Sequence, residues 1–363
     1  MAGVNVNDLL DFQATTIAQY PDNKFRNMLN ERSYIFGKWL KGLKPKKPSG
    51  TKAVFAAMIK GDSSETGDAA DGGAGRYAPY ESLGATASEY MVQGEIPWCY
   101  YQTYWVVSSQ EAELNSGAEQ VIDLAKAKLE GCMTTFANIL EADFWSTSSY
   151  AYESASKPMV LGPEYWITDD GYHVNDTGGT NGTEVGGINP ANTDYNDRSG
   201  TGRWLNQYIQ QTVTNKVLDS MDRMFVNTKF QAPPDVTMNT KPMYDKFKIC
   251  VDETTLYMYK DLQRKLRDNV GVDLSTGKPI FNNITLEYAS LMTARTDSTY
   301  QQFWLNTDSW KAWVAPSNNF RRTKVFTPDN MDARMQRIYL WVALGCIDRR
   351  LNGKIFGYDG DVT

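Results

Sequence analysis

Residues 116 to 145 carry the longest unbroken helical periodicity in the chain, and every other element has to be fitted around it. Ala118, Ile122, Ala125, Leu129, Cys132, Phe136, Leu140 and Phe144 recur at steps of three and four, which puts them on one stripe of a helix. Ser116 followed by Glu119 reads as a capping box, in which the hydroxyl takes an orphan amide and the carboxylate reaches back to the cap's own N–H. No proline interrupts the stretch, and Gly131 is its weak point, costing about 1 kcal/mol against alanine. Such a helix runs roughly 40 Å. That is long for a globular domain, and it predicts a strut on which flatter elements are laid.

The chain of 363 residues is long enough for two or three cores, and 41% hydrophobic and 12% aromatic content exclude a disordered polymer. A net charge of −6 argues against a protein that grips nucleic acid along its whole face. Cys99, Cys132, Cys250 and Cys346 are scattered without metal-ligand spacing and flanked by apolar residues, which reads as buried thiols in a reducing compartment. No signal peptide and no apolar run of about 18 residues is present, so no membrane span is expected and the sequons at Asn175, Asn181 and Asn283 carry no weight.

Along the chain, residues 1 to 50 read as an arm: a short helix capped by Asn7 and stopped by Pro21, a second amphipathic piece with Phe25, Met28 and Ile35, then a lysine-rich, acid-free run from Lys38 to Lys52. Residues 51 to 109 read as a long β-excursion. Its apolar strand is Ala53 to Ile59; a glycine-rich segment, 61 to 75, then carries Asp62, Glu65, Asp68 and Asp71 without a base. The aromatic run Ile96 to Val107 follows, with apolar residues on both parities. A lone ribbon is marginal in water, so this one is expected to need a surface to lie on, such as another copy of the chain. Beyond the strut, residues 147 to 202 predict loops and short strands with a turn at Gly186-Gly187-Ile188-Asn189. Helices are expected over 215–230 and 255–268, and strands over 203–209, 247–251, 280–291, 300–305, 311–315, 320–326 and 337–346.

Chemistry is poorly represented. His173 is the sole histidine, which excludes two-imidazole metal hydrolysis. Asp176-Thr177-Gly178 matches the aspartic-protease triplet but has no second copy to share a proton. Residues 192 to 197 alternate oxygen ligands as calcium loops do, yet lack the glycine at six and the glutamate at twelve. Residues 178 to 187 lack the Gly-Lys-Ser/Thr of a phosphate loop, and no Gly-x-Ser-x-Gly elbow occurs. Tyr165-Trp166 with Asp169-Asp170 suggests a sugar-binding ledge. The pairs Arg321-Arg322 and Arg349-Arg350 read as solvated strand ends. The sequence therefore predicts no enzyme, cofactor or metal site, and instead an arm, a ribbon and a strut that are completed by neighbours.

In that order, the arm, the acidic ribbon and the long helix resemble the tailed-bacteriophage major capsid protein of the Hong Kong 97-like fold. Gly186-Gly187-Ile188-Asn189 ahead of Trp204 and Pro233-Pro234-Asp235 resembles the start of that family's axial domain, and Gly277-Lys278-Pro279-Ile280 leading to Tyr300-x-x-Phe303 resembles its late strands. The resemblance implies an α+β fold with an N-arm over 1–50, an E-loop β-hairpin over 51–109 and a peripheral domain with a spine helix over 110–155. An axial domain over 156–298 and return strands of the axial and peripheral domains over 299–363 complete it. It further implies hexamers and pentamers in an icosahedral shell around double-stranded DNA, held without sequence-specific binding. It implies a virion protein assembled in the host bacterial cytoplasm, a separate scaffolding protein (almost nothing precedes the arm), a portal at one vertex and a decoration protein as a further partner. Contacts between subunits are expected at Asp62, Glu65, Asp68 and Asp71, at Lys38, Lys41, Lys44, Lys46 and Lys47, and at Trp98, Tyr100 and Trp105. No crosslinking pair of lysine and asparagine can be placed in this sequence. Two other readings stand beside this one: an encapsulin-type compartment, and a glycan-binding protein or hydrolase built on the aromatic and acidic loops of 150–210.

Overall fold

The computed structural model describes residues 35, 50, 52–59, 79–80, 91–114, 124–146, 158–169, 171–173, 184–190, 204–211, 217–228, 247–265, 279–282, 284–292 and 300–357. These fall into two compact units. The smaller takes Tyr100–Leu140 and Ala315–Trp341, and the larger takes Ser33–Cys99, Glu141–Val314 and Val342–Thr363.

The larger unit is built on a seven-stranded mixed sheet, ordered β4 (Tyr172–His173), β5 (Gln207–Gln211), β13 (Gly353–Gly357), β9 (Tyr300–Asn306), β6 (Phe247–Val251), β8 (Ile284–Tyr288) and β7 (Ile280–Phe281). β5 runs parallel to β13, while β9 is antiparallel to both β13 and β6. On one face Ile209, Ile249, Val251, Trp304 and Ile355 form a core with two helices, α4 (Val217–Thr228) and α5 (Glu253–Lys265). α4 buries Val217, Met221, Met224 and Thr228, the i, i+4, i+7, i+11 stripe its periodicity requires. β13, which the sequence reading does not contain, is buried at all five positions because it lies centrally in the sheet.

Asp252 starts α5. Its side chain accepts from the Thr255 amide at 2.8 Å and the Gln301 amide at 3.1 Å, so one carboxylate caps the helix and ties it to β9. Burial pushes its pKa above the usual carboxylate value, and these hydrogen bonds oppose the shift. A carboxyl with a raised folded pKa contributes stability that is complete below its unfolded pKa and is lost as pH rises through the folded one. Asp252→Ala should therefore cost about 1 kcal/mol through the lost cap. In thermal melts across the acidic range, the wild type's advantage over the variant should shrink as pH rises; an advantage that grows with pH would contradict this.

The long helix α2 (Leu124–Trp145) follows a short α1 (Ser109–Leu114). The predicted cap at Ser116 and Glu119 lies outside the described residues. Burial is concentrated toward the C-terminal end: Phe136 is 2% exposed, Leu140 6% and Phe144 0%, whereas Ala125 is exposed. In the smaller unit, β3 (Cys99–Ser108) and β11 (Arg321–Arg322) both pair with β12 (Ala333–Cys346), whose residues 342–346 pair with β10 (Trp310–Val314) in the larger unit. No disulfide forms: Cys99, Cys250 and Cys346 are buried thiols and Cys132 is partly buried.

Candidate assembly surfaces

The ribbon of β1 (Lys52–Met58) and β2 (Met91–Pro97) is the first candidate. Strand alternation sends Ala53, Phe55, Ala57 and Ile59 inward and leaves Lys52, Val54 and Ala56 outside. Phe55 pairs across the ladder with Gly94, where any Cβ would collide with its ring, so glycine is what lets the phenyl lie flat over β2. The ring sits 6.2 Å from Trp166, 6.1 Å from Trp204 and 6.2 Å from Trp313. The Glu95 amide donates to the Gly186 carbonyl at 2.9 Å, at a tight turn where Gly186 and Gly187 have φ of 64° and 74°. This corrects the expectation of a ribbon without a surface of its own: its base is rooted in its own unit.

The aromatic run 96–107 is likewise not one strand of that hairpin. It divides at Trp98, after Pro97, and its second part enters another sheet as β3. Trp98 itself is only 7% exposed, so its ring is used within the chain and offers little to a neighbour.

What the ribbon leaves open is its outer face. Met91 is 68% exposed and Val54 44%, beside an exposed ion pair of Lys52 and Glu95 at 2.6 Å. The Lys52 hydrogen bond and charge hold the Glu95 carboxyl below its usual range.

In the smaller unit, Tyr100 is exposed with its ring edge-on to Trp341 at 5.0 Å, and Trp105 is half-buried, donating to Gln336 Oε1 at 3.0 Å. Residues 321 to 337 of that unit carry Arg321, Arg322, Lys324, Arg334 and Arg337, all exposed. Arg321 lies over the Tyr339 ring and Arg337 over Phe326, and no ion pair engages any of the five among the described residues. The sequence places four acids at Asp62, Glu65, Asp68 and Asp71 and five lysines at Lys38, Lys41, Lys44, Lys46 and Lys47; all nine lie outside the described residues.

Three buried charged groups were invisible in the sequence pattern. Glu141, in the last turns of α2, is 2% exposed; one of its oxygens accepts from the Trp145 indole at 2.8 Å and from the Ile35 amide at 2.9 Å. Lys354, in β13, meets Glu164 of α3 (Pro163–Trp166) at 2.7 Å. Arg349, expected at a solvated strand end, is fully buried. It donates to the Trp166 carbonyl at 2.8 Å, the Trp204 carbonyl at 3.0 Å, Thr168 Oγ1 at 2.9 Å and Asn206 Oδ1 at 2.8 Å. Carbonyls turned inward by the irregular segments around 166 and 204 create that demand, and only a guanidinium fork meets it. Its neighbour Arg350 is half-buried and pairs with Asp348 at 3.3 Å.

No cluster of metal-ligating side chains occurs among the described residues. Burial pushes the Cys99 and Cys346 thiols up to about 12, away from nucleophilic thiolate. The proposed sugar ledge is corrected, because Tyr165 and Trp166 are 4% and 0% exposed, packed edge-to-face inside the larger unit. His173 pairs opposite Tyr208 in the ladder between β4 and β5, while Asp176-Thr177-Gly178 and residues 192–197 lie outside the described residues.

Taken together, a two-stranded ribbon, a long helix and a mixed sheet carrying two helices on one face make up an α+β fold. No family model and no curated protein matches the sequence. Solved structures match it over nearly its whole length. The capsid of an empty GTA particle has 12% identity and a TM-score of 0.58, covering 98% of this chain and 100% of that one. Gordonia phage Cozz has 10% identity and a TM-score of 0.52, covering 96% and 93%. The holo-SrpI encapsulin complex of Synechococcus elongatus has 8% identity and a TM-score of 0.50, covering 98% and 96%. The chain has the α+β fold of phage capsid proteins.

Proposed function

We propose that this chain is the major capsid protein of a tailed phage, forming hexamers and pentamers of a closed icosahedral shell around double-stranded DNA. The observation that carries the reading is the two-way, full-length agreement in fold with capsid chains. The ribbon supports it: its inner face is rooted and its outer face presents apolar side chains to a second copy. On this reading residues 1–50 are the arm, 156–298 the axial domain and 299–363 the return strands. A separate scaffolding protein, a portal and a decoration protein are its partners, and many modest contacts per subunit add up by avidity.

The encapsulin match favours a second reading, in which the same shell encloses protein. Expressing the chain with its neighbouring genes and imaging by negative stain decides the first question, since closed particles are expected and a stable monomer overturns both readings. Nuclease-protected DNA inside those particles selects the phage reading, and a protein cargo selects the other.

Acid and base are segregated in this chain, and that yields a further expected result. Asp62, Glu65, Asp68 and Asp71 pair across the subunit boundary with a neighbour's cations, either the lysines of 38–47 or the exposed set Arg321, Arg322, Lys324, Arg334 and Arg337. Reversing the four acids to lysine should sharply reduce particle yield and abolish the weakening of wild-type particles by salt. Unchanged yield and salt response would refute the pairing.

A further inference from the structure

In the smaller unit, β3, β12 and β11 form a sheet with two unlike faces. Strand alternation sends Tyr101, Ile338 and Leu340 to one of them, where the Tyr101 ring stands edge-on to Phe136 of α2 at 6.3 Å and the two aliphatic side chains are fully buried. The opposite face carries Tyr100 and Tyr104 of β3, Arg337, Tyr339 and Trp341 of β12, and Arg321 of β11, which pairs across the ladder with Tyr339. Tyr100 is 57% exposed and Tyr104 58%.

The cations of this face are held in place. The Arg321 guanidinium lies over the Tyr339 ring at 5.3 Å, and that of Arg337 over the Phe326 ring at 5.8 Å. A guanidinium stacked on a ring keeps its N–H edge free and has less freedom left to lose when that edge is used. Thr323 bonds opposite Arg337 and Phe326 bridges Met335, so the first strand has one residue more than the second between those points. That bulge leaves both Lys324 and Val325 exposed. β3, β11 and β12 contain no acidic residue, and Arg321, Arg322, Lys324, Arg334 and Arg337 make no ion pair among the described residues. Residues 321–337 set these five cations against Asp329 and Asp332 alone. The chain's net charge of −6 does not cancel that local surplus, because charges beyond a Debye length of about 8 Å are screened.

We propose that this face binds single-stranded nucleic acid. The five cations take backbone phosphates, which a guanidinium fork meets two oxygens at a time. Tyr100 and Tyr104 receive unstacked bases, and every base offers a ring face, so the binding does not read sequence. A duplex keeps its base faces covered and gives those two rings nothing to stack on. A protein partner would also use Tyr, Trp and Arg. The surplus of unpaired cations on strands without an acid is what favours a polyphosphate. The proposal stands independently of the shell reading, and it leaves the lysines of 38–47 as the cations for the acidic segment.

Fluorescence anisotropy of a labelled oligothymidylate of about 15 nucleotides, titrated with the full-length chain, tests it. The logarithm of the affinity should fall against the logarithm of salt concentration with a slope of about −3.5, at about −0.7 for each of five phosphates neutralised. Arg321→Ala and Arg337→Ala should each flatten that slope by about 0.7. Tyr104→Ala should weaken binding about tenfold and leave the slope unchanged, a combination that loss of charge does not produce. Arg223→Ala, at an exposed position of α4 in the larger unit, should change neither. Absence of binding at about 50 mM salt overturns the proposal, as does a slope that the two arginine variants leave intact. So does a duplex of the same length that binds as tightly while Tyr104→Ala has no effect. A synthetic peptide of residues 61–75 that binds more tightly than the oligonucleotide assigns the face to an acidic polypeptide and overturns it too.

Discussion

Arg349→Ala should be among the most damaging single substitutions in this protein, costing about 3–5 kcal/mol. The loss has two parts. The guanidinium that donates to the Trp166 and Trp204 carbonyls, Thr168 Oγ1 and Asn206 Oδ1 disappears; Asn206 Oδ1 keeps the Thr168 amide and hydroxyl, but the two carbonyls lose the buried donor that met them. A void also opens beside the Trp204 ring, over which the guanidinium lies at 5.9 Å. Native stability of ordinary domains is about 5–15 kcal/mol, so the alanine variant should appear mostly in the insoluble fraction. Arg349→Lys keeps the charge but offers a single head in place of a planar fork; it should fold with a cost of about 2 kcal/mol, read as a lowered denaturation midpoint. Arg350→Ala removes a half-buried neighbour and should change stability by under about 1 kcal/mol. Equal effects at 349 and 350 would mean that the network carries no weight.

That contrast also marks where the sequence stops being legible. Arg349 and Arg350 are chemically identical in the chain, and their difference is made by carbonyl oxygens from residues 166 and 204, far away in sequence. Local pattern reports which side chains want water, not which backbone groups have been left without it. Lys354 is the same case: the stretch Gly353–Gly357 holds a lysine and two glycines in five residues, and nothing in it announces a central strand. The missing information lies in β5 and β9, which cover it on both edges.

Where one element buries one face, the pattern sufficed. The strand from Ala53, helices α4 and α5, and β12 all follow their periodicity, with ends displaced by a few residues. The long helix α2 is legible for the same reason, although its stripe does not say that Phe136, Leu140 and Phe144 are buried while Ala125 is not. The candidate interface is legible only as composition. Unmixed acid and unmixed base appear in the sequence, but a ribbon rich in aromatics looked unsupported because its supports, Trp166, Trp204 and Trp313, come from three separate stretches.

Those three rings make Phe55 the second decisive position. Phe55→Ala should cost about 3–5 kcal/mol, because the phenyl is 5% exposed and its removal leaves a cavity that rigid indoles cannot collapse into. The indole emission should shift as Trp166, Trp204 and Trp313 gain water. Gly94→Val should reproduce the effect from the opposite strand, since a side chain there occupies the space of the Phe55 ring. Phe55→Leu, which refills part of the volume, should recover a substantial share of the stability. On the proposed shell reading a functional consequence follows: β1 and β2 fix where the chain between them leaves and returns, so loosening their root would remove the preorganisation by which one copy engages the next. Particle yield should then fall in the order wild type, Phe55→Leu, Phe55→Ala, tracking the emission shift. If Phe55→Ala shifts the emission yet assembles as well as wild type, the ribbon's root serves the stability of the subunit and has no part in joining subunits.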